Sequence, residues 1–84
     1  MVEWFVYILR CADGSYYTGI TRDLERRLQE HNGDNRRGAA YTRARRPVHI
    51  VYRESCSSRS QAARREHEIR TLTRRDKGKL AKEQ

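Results

Sequence analysis

An aromatic and β-branched run occupies Trp4–Arg10 and ends at a turn signal, Ala-Asp-Gly at residues 12–14. Such a nearly continuous apolar run predicts a strand that is buried on both faces. Residues 15–21 form a second candidate strand, so the two segments predict a β-hairpin. In a chain of 84 residues this hairpin must organise most of the core.

The length of the hairpin loop decides which side chains share a face of the sheet. A two-residue loop at Asp13 and Gly14 places Tyr7 and Tyr17 on opposite faces. A three-residue loop, with Gly14 left-handed in a bulge, pairs Tyr7 with Gly19 and places both tyrosines on one face. The local sequence is compatible with both registers.

Helix caps and hydrophobic spacing predict the remaining elements. Thr21 or Asp23 caps a first helix with inward positions at 24, 27, 28 and 31, which Asn32 and Gly33 end. Residues 36–46 are a basic connection with at most a short helical turn, and residues 48–52 are a third strand. A capping box at residues 58–61 begins a helix through Thr73, and a last amphipathic segment continues this helix or turns away.

These elements predict an α+β fold: a small three-stranded antiparallel sheet flanked by helices, in the order β-β-α-β-α-α. We expect one domain over residues 1–84, with a tail from about residue 81 that can be disordered. Cys11 and Cys56 form no CxxC pair and follow no signal peptide, so free thiols and a cytoplasmic location are expected. No apolar run reaches the roughly 20 residues of a membrane span, so no membrane partner is expected.

Basic residues outnumber acidic ones by 19 to 11, which gives a formal charge of +8 and indicates a polyanionic partner. Several of them lie in the connection before Pro47, where Tyr41 could also stack on a base. The predicted phosphate-binding residues are Arg36, Arg37, Arg43, Arg45 and Arg46. A solvated basic loop is an equally open interpretation for any one of them.

Two charged side chains occupy positions that should face the sheet. Arg27 and His31 lie on the leucine stripe of the first helix, and Glu66 lies among small and apolar residues on a later one. A buried charge needs a partner. An ion pair between Arg27 and Glu66 and a divalent metal on Glu66 are both compatible with the pattern.

The order and spacing of these residues resemble the GIY-YIG nuclease family over essentially the whole chain. Residues 5–7 (Phe-Val-Tyr) stand where that family has Gly-Ile-Tyr, and residues 17–19 (Tyr-Thr-Gly) stand where it has Tyr-Ile-Gly. Arg27, His31 and Glu66 follow in the family order. The chain is most similar to the small stand-alone bacterial members, which share its Tyr-Thr-Arg at 41–43. It departs from the family at Phe5 and lacks the late polar residue of some larger members.

The resemblance implies a metal-dependent endonuclease that hydrolyses phosphodiester bonds in single-stranded or structured DNA, with one Mg²⁺ or Mn²⁺. DNA is favoured over RNA as the partner, and a monomer or weak dimer is expected. A basic nucleic-acid-binding module without catalysis is the alternative, and a basic protein docked on a larger assembly is a third. The implied roles are metal ligand for Glu66, phosphate binding for Arg27, general base for Tyr7 beside Tyr17, proton relay for His31, and close backbone approach at Gly19.

Overall fold

The structure is a computed structural model that describes residues 3–82, and it contains a three-stranded antiparallel sheet in the order β2-β1-β3. This arrangement confirms the predicted α+β fold and element order, and α2 is the short helical turn expected in the basic connection. The elements are β1 (Trp4–Arg10), β2 (Tyr16–Thr21), α1 (Leu24–Gly33), α2 (Ala40–Arg43), β3 (His49–Cys56), α3 (Arg59–Arg70) and α4 (Arg74–Lys82).

The β1–β2 hairpin adopts the three-residue loop. Gly14 has φ +84°, in the left-handed region that glycine occupies without strain, and Tyr7 pairs with Gly19 across the two strands. The Asp13 carboxylate accepts hydrogen bonds from the Ser15 backbone N–H at 3.0 Å and the Ser15 hydroxyl at 2.6 Å. Tyr7 and Tyr17 therefore share one face of the sheet.

The central strand β1 is buried on both faces, as predicted. We call the side of Val6 and Ile8 the α3 face, because α3 covers it together with Leu80 of α4. The side of Tyr7 and Leu9 is the α1 face, where the two leucines of α1 pack. Each fully buried aliphatic side chain contributes roughly 2 kcal/mol. The sheet thus separates two small cores, and its edge strand β2 borders both.

Two element boundaries differ from the sequence prediction by more than one residue. The third strand runs to Cys56 instead of residue 52, because β1 offers backbone partners as far as Trp4. The third helix ends at Arg70, so its predicted continuation through Thr73 is wrong. Thr73 instead accepts a hydrogen bond from the Asp76 N–H at 3.1 Å and starts α4, as threonine does at helix N-termini.

The caps of the longer helices follow the sequence closely. Asp23 is the N-cap of α1 and accepts from the Arg26 N–H at 3.0 Å. Ser58 caps α3 by accepting from the Gln61 N–H at 3.1 Å. The reciprocal half of the capping box is shifted by one residue, since Gln61 accepts from Ser57. Helix α4 includes residues 81 and 82 of the predicted tail, and residues 83–84 lie outside the described part.

Both cysteines are free thiols, as expected, and Cys11 is buried. Within residues 3–82, no helix has the length and apolar character needed to cross a bilayer.

Replacing Gly14 with alanine tests the bulged register. An L-residue held in the left-handed region costs about 1–2 kcal/mol, so Gly14→Ala should lower the free energy of unfolding by that amount in urea titrations. Gly33→Ala is the matched control, because nothing lies within 4 Å of a Cβ at the end of α1. Equal stability of the two variants would contradict the bulged loop.

Candidate active site

The phenol of Tyr7 lies across the edge strand at Gly19. A Cβ added to Gly19 would lie 2.6 Å from Cζ of Tyr7, and closer still to its hydroxyl. Any side chain at this position would displace the ring, so the glycine provides the space that the phenol occupies. Tyr7 is 2% exposed and is held between β2 and the helices of the α1 face.

A chain of hydrogen bonds links the Tyr7 hydroxyl to the basic connection. Tyr7 Oη lies 2.9 Å from Nε2 of His31, and Nδ1 of His31 lies 2.8 Å from Oγ1 of Thr42. Thr42 donates its own proton to the Ala39 carbonyl at 3.0 Å, so it accepts from His31. Nδ1 therefore carries the imidazole proton, and Nε2 accepts the proton of the Tyr7 hydroxyl.

Burial keeps both members of the Tyr7–His31 pair neutral. The pKa of His31 is lowered to about 4, first by burial and then by the positive charge of Arg27. The pKa of Tyr7 is raised to about 12, mainly by burial. Arg27 lowers the pKa of Tyr7, but burial outweighs this effect and the charge of Glu66 opposes it. The hydroxyl is a neutral donor at pH 7.

Arg27 is held beside Tyr7 by an acidic neighbour on its own helix. Its guanidinium donates to Glu30 at 3.1 Å and to the carbonyl of Arg37, and its charge lowers the pKa of Tyr7. The possible ion pair between Arg27 and Glu66 is therefore not formed. Glu30 balances part of the charge and fixes the direction of the guanidinium, which remains about one quarter exposed.

Glu66 lies on the helix that covers the other face of the sheet. It lies on the stripe of α3 that carries the buried Ala62 and Ile69, and α3 packs against β1 and β2 on the α3 face. Its charge nevertheless raises the pKa of Tyr7, so the carboxylate lies within electrostatic range of the phenol. No hydrogen bond or ion pair joins Glu66 to Tyr7 or Arg27 within residues 3–82.

Glu66 and Thr18 supply oxygen atoms on the α3 face, and oxygen is the ligand type that a hard cation prefers. Glu66 is half-buried and forms no ion pair with any residue of the described range 3–82. Thr18, on the same face, has a buried Oγ1 without a hydrogen-bond partner. Residues 3–82 contain no cluster of three or more His, Cys, Asp or Glu side chains suited to a metal. A single carboxylate suits Mg²⁺ or Mn²⁺, because a Mg²⁺ site with few carboxylates completes its coordination with water and substrate phosphate.

An aromatic stack extends from the buried pair to the surface. The Tyr17 ring lies 5.1 Å from the His31 ring and 5.9 Å from the Tyr41 ring, with which it is stacked. Arg45 covers the outer side of Tyr41, at 3.9 Å from its centroid, and donates to Asp13 at 3.0 Å. Tyr41 is 37% exposed, so the stack presents an aromatic and cationic surface beside Tyr7.

The arginines of the basic connection differ in their availability. Arg46 donates to the carbonyls of His31 and Asp34 and to the side chain of Asn35, so its guanidinium is occupied in folding the loop. Arg43 donates to the carbonyl of Asn35, its one hydrogen-bond partner within residues 3–82. Of the predicted phosphate-binding residues, Arg36, Arg37 and Arg43 are exposed and Arg45 is half-buried.

Two residues of the site carried no predicted role. Thr42 fixes the imidazole of His31, and its only signal is its place in the Tyr-Thr-Arg stretch at 41–43. Glu30 orients Arg27, and the i, i+3 spacing of opposite charges on a helix would have indicated it.

A model of the GIY-YIG catalytic domain matches residues 3–80. The chain belongs to the GIY-YIG family. A UPF0213 protein of Staphylococcus aureus is 50% identical over 99% of both chains, and UPF0213 protein DP2720 of Desulfotalea psychrophila is 54% identical over 94% of this chain and 71% of its own. The solution structure of the UPF0213 protein BH0048 from Bacillus halodurans superposes with TM-score 0.58 at 42% identity.

A second solution structure, that of protein EF2693 from E. faecalis, superposes with TM-score 0.64 at 43% identity. Both structures match 95% of this chain and 83% of their own. The GIY-YIG arrangement of sheet and helices is therefore shared with small bacterial relatives, and the family is one whose fold generally carries endonuclease activity.

The depressed pKa of His31 predicts a loss of stability on mild acidification. The His31 imidazole binds a proton near pH 6.5 in the unfolded chain but only near pH 4 in the folded one. The free energy of unfolding that is present above pH 6.5 is therefore lost as the pH falls towards 4. The loss should reach about 3 kcal/mol. Urea titrations at several pH values should show it in the wild type and in His49→Gln, an exposed control, but not in His31→Gln. An identical pH dependence in all three would contradict the buried neutral imidazole.

Proposed function

We propose that this protein is a metal-dependent endonuclease that hydrolyses phosphodiester bonds in DNA. The observation that carries the proposal is the neutral Tyr7–His31 pair beside Arg27, with the charge of Glu66 within electrostatic range of the phenol. Hydrolysis requires a group that removes a proton from water and a cation that holds the phosphate, and this cluster supplies both.

The hydrogen bonds define a path for the proton of the attacking water. Tyr7 accepts that proton on Oη while its own proton moves to Nε2 of His31, so the phenol stays neutral. Thr42 keeps Nε2 free to accept. The low pKa of His31 opposes this transfer in the free protein, but a bound phosphate adds negative charge beside the imidazole and raises its pKa.

Arg27 is assigned to the phosphate. Its planar guanidinium matches the phosphoryl oxygens, and its fixed charge offsets the negative charge that grows in the transition state. Glu66 would hold the single Mg²⁺ or Mn²⁺. When bound, such an ion supplies Lewis-acid stabilisation of the phosphoryl and leaving oxygens. Glu30 keeps Arg27 in place during the reaction.

The stack of Tyr17, Tyr41 and Arg45 and the exposed Arg36, Arg37 and Arg43 are assigned to substrate binding. These residues contact the DNA backbone and stack on bases without reading the base sequence, so the protein recognises the shape of the DNA. We assign the protein to the cytoplasm, consistent with its free thiols, as a monomer or weak dimer. DNA repair, recombination and DNA uptake are processes that use such an activity.

A nucleic-acid-binding module without catalysis is the second candidate. The observation that favours it is the raised pKa of Tyr7, which leaves the phenol a poor base in the absence of substrate and metal. Under this alternative the same surfaces bind DNA, and neither the wild type nor any site variant cleaves it.

Cleavage of labelled single-stranded, duplex and flap DNA tests the proposal. Wild type should cleave at least one of them with Mg²⁺ or Mn²⁺ and none in EDTA. Tyr7→Phe and Glu66→Gln should each lower the rate by about 100-fold or more. Tyr52→Phe, whose hydroxyl bonds Glu54 on the α3 face, and the exposed Glu68→Gln are the controls. Binding without cleavage in both metals would establish the second candidate instead.

The role of Thr42 is tested by a pair of variants. Thr42→Val removes the acceptor of His31 Nδ1 but keeps the shape, so the imidazole loses its fixed tautomer and kcat should fall about tenfold or more. Thr42→Ser keeps the hydroxyl and should restore most of kcat, with KM for DNA similar in both variants. Equal kcat values for valine and serine would show that the hydroxyl has no positioning role.

A further inference from the structure

A second basic surface lies on the α3 side of the hairpin, apart from the arginines of residues 36–46. A groove of about 650 Å³ runs along α4 beside Tyr16 of β2, and we call it the α4 groove. It adjoins a cavity of about 270 Å³ under the hairpin loop, lined by Asp13, Ser15, Tyr16, Arg74 and Lys77. The side chains that line the α4 groove belong to Tyr16, Arg74, Arg75, Lys79 and Lys82.

The charge of this surface is strongly positive. Helix α4 carries five cations and one acid, Asp76, which lies 3.9 Å from Lys79 in an exposed pair of little energetic weight. Tyr16 forms the aromatic wall of the groove, and its hydroxyl would lie 3.4 Å from a Cβ at Gly78, so the glycine leaves the floor open. Cations around an aromatic ring are the usual composition of a surface that follows a nucleic-acid backbone.

The α4 groove and the proposed substrate surface meet at the hairpin. Tyr16 and Tyr17 are consecutive in the edge strand, so one faces the α4 groove and the other faces the active site. Arg45 binds Asp13 from one side of the loop, and Arg74 donates to the carbonyl of Gly14 from the other at 3.0 Å. The free edge of β2 therefore has a cationic aromatic surface on each side.

This geometry matches two phosphate backbones rather than one. The major groove of duplex DNA is about 12 Å wide and admits a two-stranded β-ribbon. Successive side chains of a strand point to opposite faces of the sheet, so the two cationic surfaces flank the β2 edge from its two sides. We propose that the α4 groove binds the second strand of a duplex whose first strand lies at Tyr7 and Arg27. This inference rests on the proposed function and specifies its substrate as duplex DNA.

Binding measurements in EDTA test the inference independently of cleavage. The groove variant carries Arg75→Gln, Lys79→Gln and Lys82→Gln, all exposed positions, and leaves the structural Arg74 intact. The control variant removes the same charge at three exposed arginines outside both surfaces, by Arg22→Gln, Arg59→Gln and Arg64→Gln. Circular dichroism checks that both variants are folded.

The groove variant should bind a labelled duplex about tenfold or more weakly than the control, and the slope of log K against log salt should fall by about two to three. Its affinity for the corresponding single strand should change by less than about threefold. Equal losses for duplex and single strand would overturn the second-strand assignment, and equal affinities of the two variants would overturn the groove. Absence of cleavage in Mg²⁺ would overturn the proposed function and leave the binding result standing.

Discussion

The hydrogen bond between the Tyr7 hydroxyl and His31 Nε2 is the interaction on which the arrangement of the site depends. It joins the central strand to α1, and it forms only because the phenol can pass over Gly19. That passage requires the bulged hairpin register, in which Tyr7 and Gly19 are opposite each other. Thr42 extends the link into the basic connection, so one chain of bonds spans the sheet, α1 and α2.

Burial determines the charge state of this pair. Two neutral partners in a buried position avoid the desolvation of an ion, which explains why the pKa of His31 falls and that of Tyr7 rises. The nearby charges stay at the border of the core, where Arg27 is paired with Glu30 and Glu66 is half-buried. The site thus combines a dry proton path with a cationic and an anionic group at the border of the core.

The sequence predicted the secondary-structure elements better than the contacts between them. Periodicity and caps located both strands of the hairpin and the starts of α1 and α3, because Asp23 and Ser58 act locally. The hairpin register could not be chosen, since it depends on packing of Tyr7 over Gly19 between distant elements. The possible partnership of Arg27 and Glu66 failed for the same reason: the two residues lie on helices that cover opposite faces of the sheet.

The tautomer of His31 is the most direct test of this account. Nitrogen-15 NMR of the imidazole at pH 7 distinguishes a protonated Nδ1 from a protonated Nε2. We expect Nδ1 to carry the proton and Nε2 to accept from the Tyr7 hydroxyl, with the Nε2 resonance shifted in Tyr7→Phe. A protonated Nε2, or an imidazolium at pH 7, would contradict the proton path from Tyr7 to His31.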